Sequence, residues 1–238
     1  MKKPTIFFAV MMMSTCVFAQ ETHSQLLYWL RYQNMLIFSP QVYWTNEFDN
    51  RRFIDPDVEN QFIMHSRVHY KKDRWDFATG LTYSLAYAAI PENGFKEPVE
   101  EIRPVMEASY EVPVKKMFIA NRVRIDYRFF QSDPEQSVFE ESFFVMRFRY
   151  RLQLRIPLKV NEDNVTTIGL RLADEIMFNN KENTYDQNRI YVTGEFYLSK
   201  KFSVECGYIY IHQQRYGTED FFERNVLRFS ILHRVFAR

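Results

Sequence analysis

Residues 147–156 read RFRYRLQLRI, with Arg147, Arg149, Arg151 and Arg155 at odd positions and Phe148, Tyr150, Leu152, Leu154 and Ile156 at even ones. Successive side chains of a β-strand point to opposite faces, so this stretch is a strand with one apolar and one cationic face. A guanidinium is costly to bury unless it is paired and hydrogen-bonded. The cationic row therefore needs water or carboxylates opposite it, and the apolar row needs a core or a membrane.

The same two-residue period recurs along the chain. In NRVRIDYRF, Arg122, Arg124, Asp126 and Arg128 alternate with Val123, Ile125, Tyr127 and Phe129. In EIRPVMEASYE, Glu101, Arg103, Glu107, Ser109 and Glu111 alternate with Ile102, Met106, Ala108 and Tyr110. TIGLRLADEIMF sets Arg171 and Glu175 against Ile168, Leu170, Leu172 and Ile176, with Asp174 breaking the apolar row. NRIYVTGEFYL sets Arg189, Thr193 and Glu195 against Ile190, Val192, Phe196 and Leu198. Such long alternation predicts an all-β protein.

The chain has 238 residues, a net charge of +1 and a mean hydropathy of −0.38. Its charge balance gives no electrostatic footprint for nucleic acid, and no nucleic-acid partner is expected. Met1-Lys2-Lys3, the apolar run TIFFAVMMM and Val17-Phe18-Ala19 before Gln20 predict a cleaved secretory signal peptide over residues 1–19. Its removal leaves Cys206 alone, so the exported protein is held together without an internal disulfide. No second apolar run is long enough for a transmembrane helix.

Between the strands, short lysine-rich turns (KKDR at 71–74, VPVKK at 112–116, SKK at 199–201) alternate with mostly longer connections rich in Asp, Asn, Pro and Gly. That asymmetry is the habit of outer-membrane barrels. Counting strands from residue 35 gives about ten, the first over 35–48, an even number as single-chain bacterial barrels usually have. Residues 20–34 form an N-terminal segment or an extra strand, which together with one further unrecognised pairing raises the count to twelve, and 35–238 form the barrel proper. Pro104 within a strand predicts a bulge or an interruption of pairing. Trp75, Phe77, Phe118, Phe129, Phe130, Phe178 and Tyr216 fall near strand ends, as interfacial girdles require.

The expectation is an antiparallel transmembrane β-barrel with lipid-facing apolar rows and a charged, mostly filled lumen. Its lumen network comprises Arg122, Arg124, Asp126, Arg128, Arg147, Arg149, Arg151, Arg155, Arg171, Glu175, Glu107 and Glu195. Asp126 and Glu175 face the arginine row from the neighbouring strands. Arginine suits the role because its planar fork binds carboxylates bidentately and stays charged. Small barrels tend to be filled by side chains, so a salt-bridged plug is favoured over an anion-selective constriction.

RFRYRLQLRIPL, LRLADEIMFNN and YDQNRIYVTGEFYLSKKFSVECGYIYIHQQRY resemble an uncharacterised bacterial outer-membrane β-barrel family, a family built on a domain of unknown function. The resemblance runs from about Trp29 to Phe236. Its most specific piece is Asp186-Gln187-Asn188-Arg189, followed by Gly207-Tyr208 and Gln213-Gln214. It implies an outer-membrane barrel of this length and brings no substrate or catalytic residues.

Asp186, Gln187, Asn188, Arg189, His212 and Gln214 are expected at one extracellular edge, either tying two loops together or recognising lipopolysaccharide. Neighbouring His65 and Ser66 point to opposite faces and cannot act as a nucleophile–base pair. His65 and His69 share a face but lie about 13 Å apart, too far to chelate one metal. No cofactor motif or metal set is present, and only His212 stands as a candidate base. A non-enzymatic outer-membrane role is expected: structural, binding or a narrow conduit. The alternatives are an enzyme acting on lipid or lipopolysaccharide at the rim, and a soluble periplasmic lipid carrier with polar residues outside. Outer-membrane lipid, lipopolysaccharide and the barrel-assembly machinery are the expected partners of a monomer.

Overall fold

The computed structural model describes residues 22–87, 89–91, 97–133, 135–162, 165–181, 184–214 and 220–237. The expected signal peptide and Tyr216 lie outside them. Eleven strands, β1 (Thr22–Ile37), β2 (Val42–Phe53), β3 (Glu59–Lys72), β4 (Trp75–Ala86), β5 (Val99–Val114), β6 (Met117–Gln131), β7 (Ser142–Val160), β8 (Thr166–Asn179), β9 (Tyr185–Tyr197), β10 (Phe202–Gln214) and β11 (Phe221–Phe236), follow one another round a closed barrel. Sequential neighbours are antiparallel, and β1 closes the barrel by pairing in parallel with β11, from Thr22 opposite Phe221 to Ile37 opposite Phe236.

The number eleven falls between the two expected counts, and the even parity does not hold. The difference arises at Phe38-Ser39-Pro40-Gln41, inside what was expected to be one strand over 35–48. There Phe38 N–H donates to the Val42 carbonyl at 3.0 Å, and Ser39 Oγ accepts from Val42 N–H at 2.9 Å. This turn cuts the segment in two and joins 22–34 to 35–37 as one strand. Pro104 interrupts the β5–β6 ladder as expected: Arg103 and Pro104 have no partners between the Ile102–Phe129 and Val105–Asp126 pairs, and the register resumes unchanged.

With an odd count, the connections at 38–41, 73–74, 115–116, 161–165 and 198–201 share one end of the barrel with Phe236. Those at 54–58, 87–98, 132–141, 180–184 and 215–220 share the other with Thr22. The two-residue turns on the short side place Asp73 and Lys115 at positive φ, 54° and 55°, as tight hairpins demand.

Alternation sorts the faces as the arginine row predicts. Phe148, Tyr150 and Leu152 point outward and are exposed, and Val68, Val123, Ile190 and Leu227 extend the same apolar surface around the wall. An apolar surface this continuous is foreign to a soluble monomer, and it is the reverse of the outside that a soluble carrier needs. Asp174, the break in the outward row of β8, is held by the Asn188 amide at 2.6 Å. Aromatic pairs mark both ends, Trp75 against Tyr110 at 4.7 Å and Phe129 against Phe144 at 5.2 Å. Phe118 and Phe130 instead turn inward and line cavities.

Candidate functional site: the arginine-lined lumen

Arg147, Arg149, Arg151 and Arg155 all project into the lumen, and each meets a carboxylate. Arg147 pairs with Asp186, Arg149 with Asp126 at 3.4 Å and Glu175 at 3.0 Å, Arg151 with Glu175 at 3.1 Å, and Arg155 with Glu111 at 2.8 Å. Glu175, with no exposed surface, is the hub. It also accepts from Arg122 Nη2 at 2.6 Å and from the Tyr191 hydroxyl at 2.8 Å.

From this hub one network crosses the barrel. Arg122 reaches Glu107 at 3.6 Å, Glu107 meets Arg67 at 3.4 Å, and Arg67 pairs with Glu47. Glu47 lies 3.3 Å from Arg31, whose fork binds Asp49 through bonds of 2.6 and 2.7 Å. In the other direction Asp126 receives Arg124 Nε at 2.6 Å. Smaller groups stand beside it: Glu101 between Arg103 and Arg128, and Arg171 with Glu195 at 3.3 Å and Glu205 at 2.5 Å. Every expected lumen residue thus faces inward.

The network is wider than the sequence pattern indicated. Arg31, Glu47, Asp49, Arg51, Arg67, Arg224 and Arg228 also point inward. Asp49 and Arg51 lie beyond the end of the first expected strand, 35–48, because the outward row of β2 (Trp44, Asn46, Phe48, Asn50, Arg52) is half polar and hides the alternation. The signal was in the other row, where Glu47, Asp49, Arg51 and Phe53 fall on one face.

Charge is sorted radially. A carboxylate stem is short and a guanidinium stem long, so Asp49, Asp126 and Glu175 sit against the wall with no exposed surface while the arginine forks reach toward the axis. A cavity of about 420 Å³ in the lumen is consequently lined by fourteen arginines and one carboxylate, Glu47. A second, of about 560 Å³, lies toward the short-turn end. The two share Arg122, Arg151, Gln153 and Arg171 as lining. At the long-loop rim a third, of about 230 Å³, is bounded by Phe130, Phe143, Tyr185, Asp186 and Gln214.

The residues expected at one extracellular edge are divided between the two faces. Asp186, the extra residue where the β8–β9 register shifts, and Gln187 turn inward and are buried, as Arg189 lines the lumen cavity. Asn188 and His212 stand opposite each other on the outer wall. His212 stacks on Phe221 at 4.6 Å and lies 3.9 Å from Glu223. With Asn188 and His212 on the outer wall and Asp186, Gln187 and Arg189 inside, the set forms no single site.

A different histidine has a carboxylate partner. His69 Nδ1 is 2.9 Å from Asp76, and its Nε2 is 3.1 Å from the Thr45 hydroxyl. Thr45 is 2% exposed and lines none of the three cavities, so the hydroxyl is presented to no substrate. Among the described residues no group of three or more His, Cys, Asp or Glu side chains is placed to hold a metal ion.

A family model described as "Protein of unknown function (DUF2490)" matches residues 26–222. Among solved structures, the barrel is similar to one titled "NanC porin structure in rhombohedral crystal form", with 11% sequence identity and a TM-score of 0.46 over 82% of this chain and 92% of that one. No curated protein matches the chain.

Proposed function

This chain belongs to the DUF2490 family of proteins of unknown function, and from that premise we propose that it is an outer-membrane barrel whose lumen is a narrow, anion-selective conduit without catalytic activity. The apolar wall supports immersion in lipid, and the length of the strands supports a span of the hydrocarbon with projection beyond it. Short turns face the periplasm and the longer connections the outside. The protein reaches the membrane behind its signal peptide, is inserted by the barrel-assembly machinery, and stands as a monomer among outer-membrane lipid and lipopolysaccharide.

The observation that carries the conduit is the pair of cavities meeting at Arg122, Arg151, Gln153 and Arg171. A plug by ion pairing would present both signs of charge to the axis. In the 420 Å³ cavity every acid but Glu47 is withdrawn to the wall and anions meet guanidinium groups; toward the short-turn end Asp73, Asp76, Glu107 and Glu111 join the cations of the lining, so selection is exerted in the long-loop half. Rings of like charge at close quarters select the opposite ion.

Single-channel recording in planar bilayers tests this. Small stepwise currents are expected, with a reversal potential in a KCl gradient of the sign set by chloride. Arg151→Gln combined with Arg171→Gln should move that potential toward zero while the barrel still folds. A well-inserted barrel that never conducts would identify the lumen as a plug.

A further inference from the structure

We infer that the long-loop half of the lumen contains a built binding site for a small oxyanion of two or more charges, gripped by Arg51, Arg189 and Arg224. The inference deepens the conduit reading by naming the solute. It rests on that reading only in needing the lumen to be reached by water from the long-loop end.

Most arginines around the 420 Å³ cavity have a carboxylate of their own. Among the described residues, Arg189 and Arg224 have none. Arg189 Nε donates to Gln187 Oε1 at 3.0 Å. Arg224 donates from Nε to Gln25 Oε1 at 2.7 Å and from Nη1 to Gln213 Oε1 at 2.8 Å. Arg51 donates to Gln61 Oε1 at 3.0 Å, and its nearest carboxylate, Asp49 at 3.3 Å, is already held bidentately by Arg31. A glutamine carbonyl accepts a hydrogen bond and fixes the direction of a guanidinium, but it cancels no charge. The glutamines are fixed in turn: Gln187 is 2% exposed, and the Gln25 amide donates to the Ala89 carbonyl at 2.9 Å. The result is a set of cations preset in direction, two without a carboxylate and the third sharing Asp49 with Arg31.

Trp29 is the second observation. Its ring lies between Arg51, at 3.9 Å from the centroid, and Arg189, at 5.6 Å. The side chain is 3% exposed and lines the cavity, and its indole N–H has no acceptor, nor does Arg51 Nε. Buried donors without acceptors are uncommon, and each is costly. A ligand with several acceptor oxygens would offset the charge of the three guanidinium groups, whose forks match carboxylate and phosphate edges, and a small turn of the Trp29 ring would bring its free N–H to such an oxygen. Those requirements describe a polycarboxylate or a phosphorylated small molecule. The volume lies within the roughly 300–1,000 Å³ of small-ligand sites.

Citrate and pyrophosphate are the probes, against acetate and chloride at constant ionic strength, on the folded barrel in detergent. Trp44→Phe with Trp75→Phe leaves Trp29 as the sole tryptophan of three. Its emission should shift saturably with citrate or pyrophosphate and not with acetate, with matching heat in calorimetry. Arg189→Gln with Arg224→Gln should weaken binding by about tenfold or more, whereas Arg155→Gln at the short-turn end should change it by less than about twofold.

The inference is overturned if neither probe perturbs Trp29, or if Arg155→Gln weakens binding as much as the double change, which would mean diffuse charge and no site. Retention of heat-modifiable mobility on gels shows that the variants fold. If the double variant does not, the Trp29 response of the otherwise native barrel decides. Conduction without citrate or pyrophosphate binding sinks this inference alone, and binding without conduction sinks the conduit alone.

Discussion

Glu175→Ala is expected to cost the barrel about 3–5 kcal/mol, because removing one partner of a buried charge network strands the others. Arg122, Arg149 and Arg151 all converge on this carboxylate, and the Tyr191 hydroxyl donates to it as well. Arg149 keeps only the longer contact to Asp126, at 3.4 Å, and no carboxylate within bonding distance of Arg151 remains among the described residues. Denaturant unfolding of the barrel refolded into bilayers measures the cost. A second variant separates loss of charge balance from loss of packing: Arg151→Leu added to Glu175→Leu should recover part of the stability, since it removes one stranded cation. A loss for Glu175→Ala no larger than the roughly 1 kcal/mol of an exposed ion pair would mean that water already screens the hub.

The opposite face gives the second large effect. Val192 lies beside the midpoint of β9, points outward, and is flanked across the ladder by Leu172 and Tyr208. Val192→Arg should destabilise the membrane-inserted barrel by about 2–4 kcal/mol, the cost of a cation at the hydrocarbon midplane. A charge placed inside behaves differently. Gln153→Glu adds a carboxylate where Arg122, Arg151 and Arg171 share the lining of two cavities, and should change stability by no more than about 0.5 kcal/mol or raise it. Equal costs on the two faces would contradict the assignment of lipid outside and water within.

The wall and the hub were legible in the sequence because both depend on period two alone. β7 alternates without exception from Met146 to Ile156, so its pattern alone turns its arginines inward, with the acids Asp126 and Glu175 on its neighbours. The N-terminal strands resisted the same reading. The turn at Phe38-Ser39-Pro40-Gln41 carries one proline and no glycine, and the outward row of β2 is half polar, so neither boundary nor alternation stands out. Local pattern also says nothing of closure. Arg224 and Gln25 are 199 positions apart and meet only because β1 seals against β11. The three cations of the proposed oxyanion site come from β2, β9 and β11, so their assembly is a property of the closed barrel. The bulge at Asp186 had the reverse effect, turning inward a residue that alternation from Gln187 assigns to the outer wall.

Everything above depends on a barrel with lipid on its apolar face and water on its arginine face. Phe148 and Gln153 lie five residues apart on β7 and point to opposite sides. Phe148 is 41% exposed between Ile125 and Phe178, and Gln153 lines both lumen cavities. Each is replaced by cysteine in a Cys206→Ser background and labelled in native outer membranes with a lipid-restricted and a water-soluble thiol reagent. Phe148→Cys should react only from the lipid and Gln153→Cys only from water. The reverse pattern, or recovery of the protein in the soluble fraction, would contradict it.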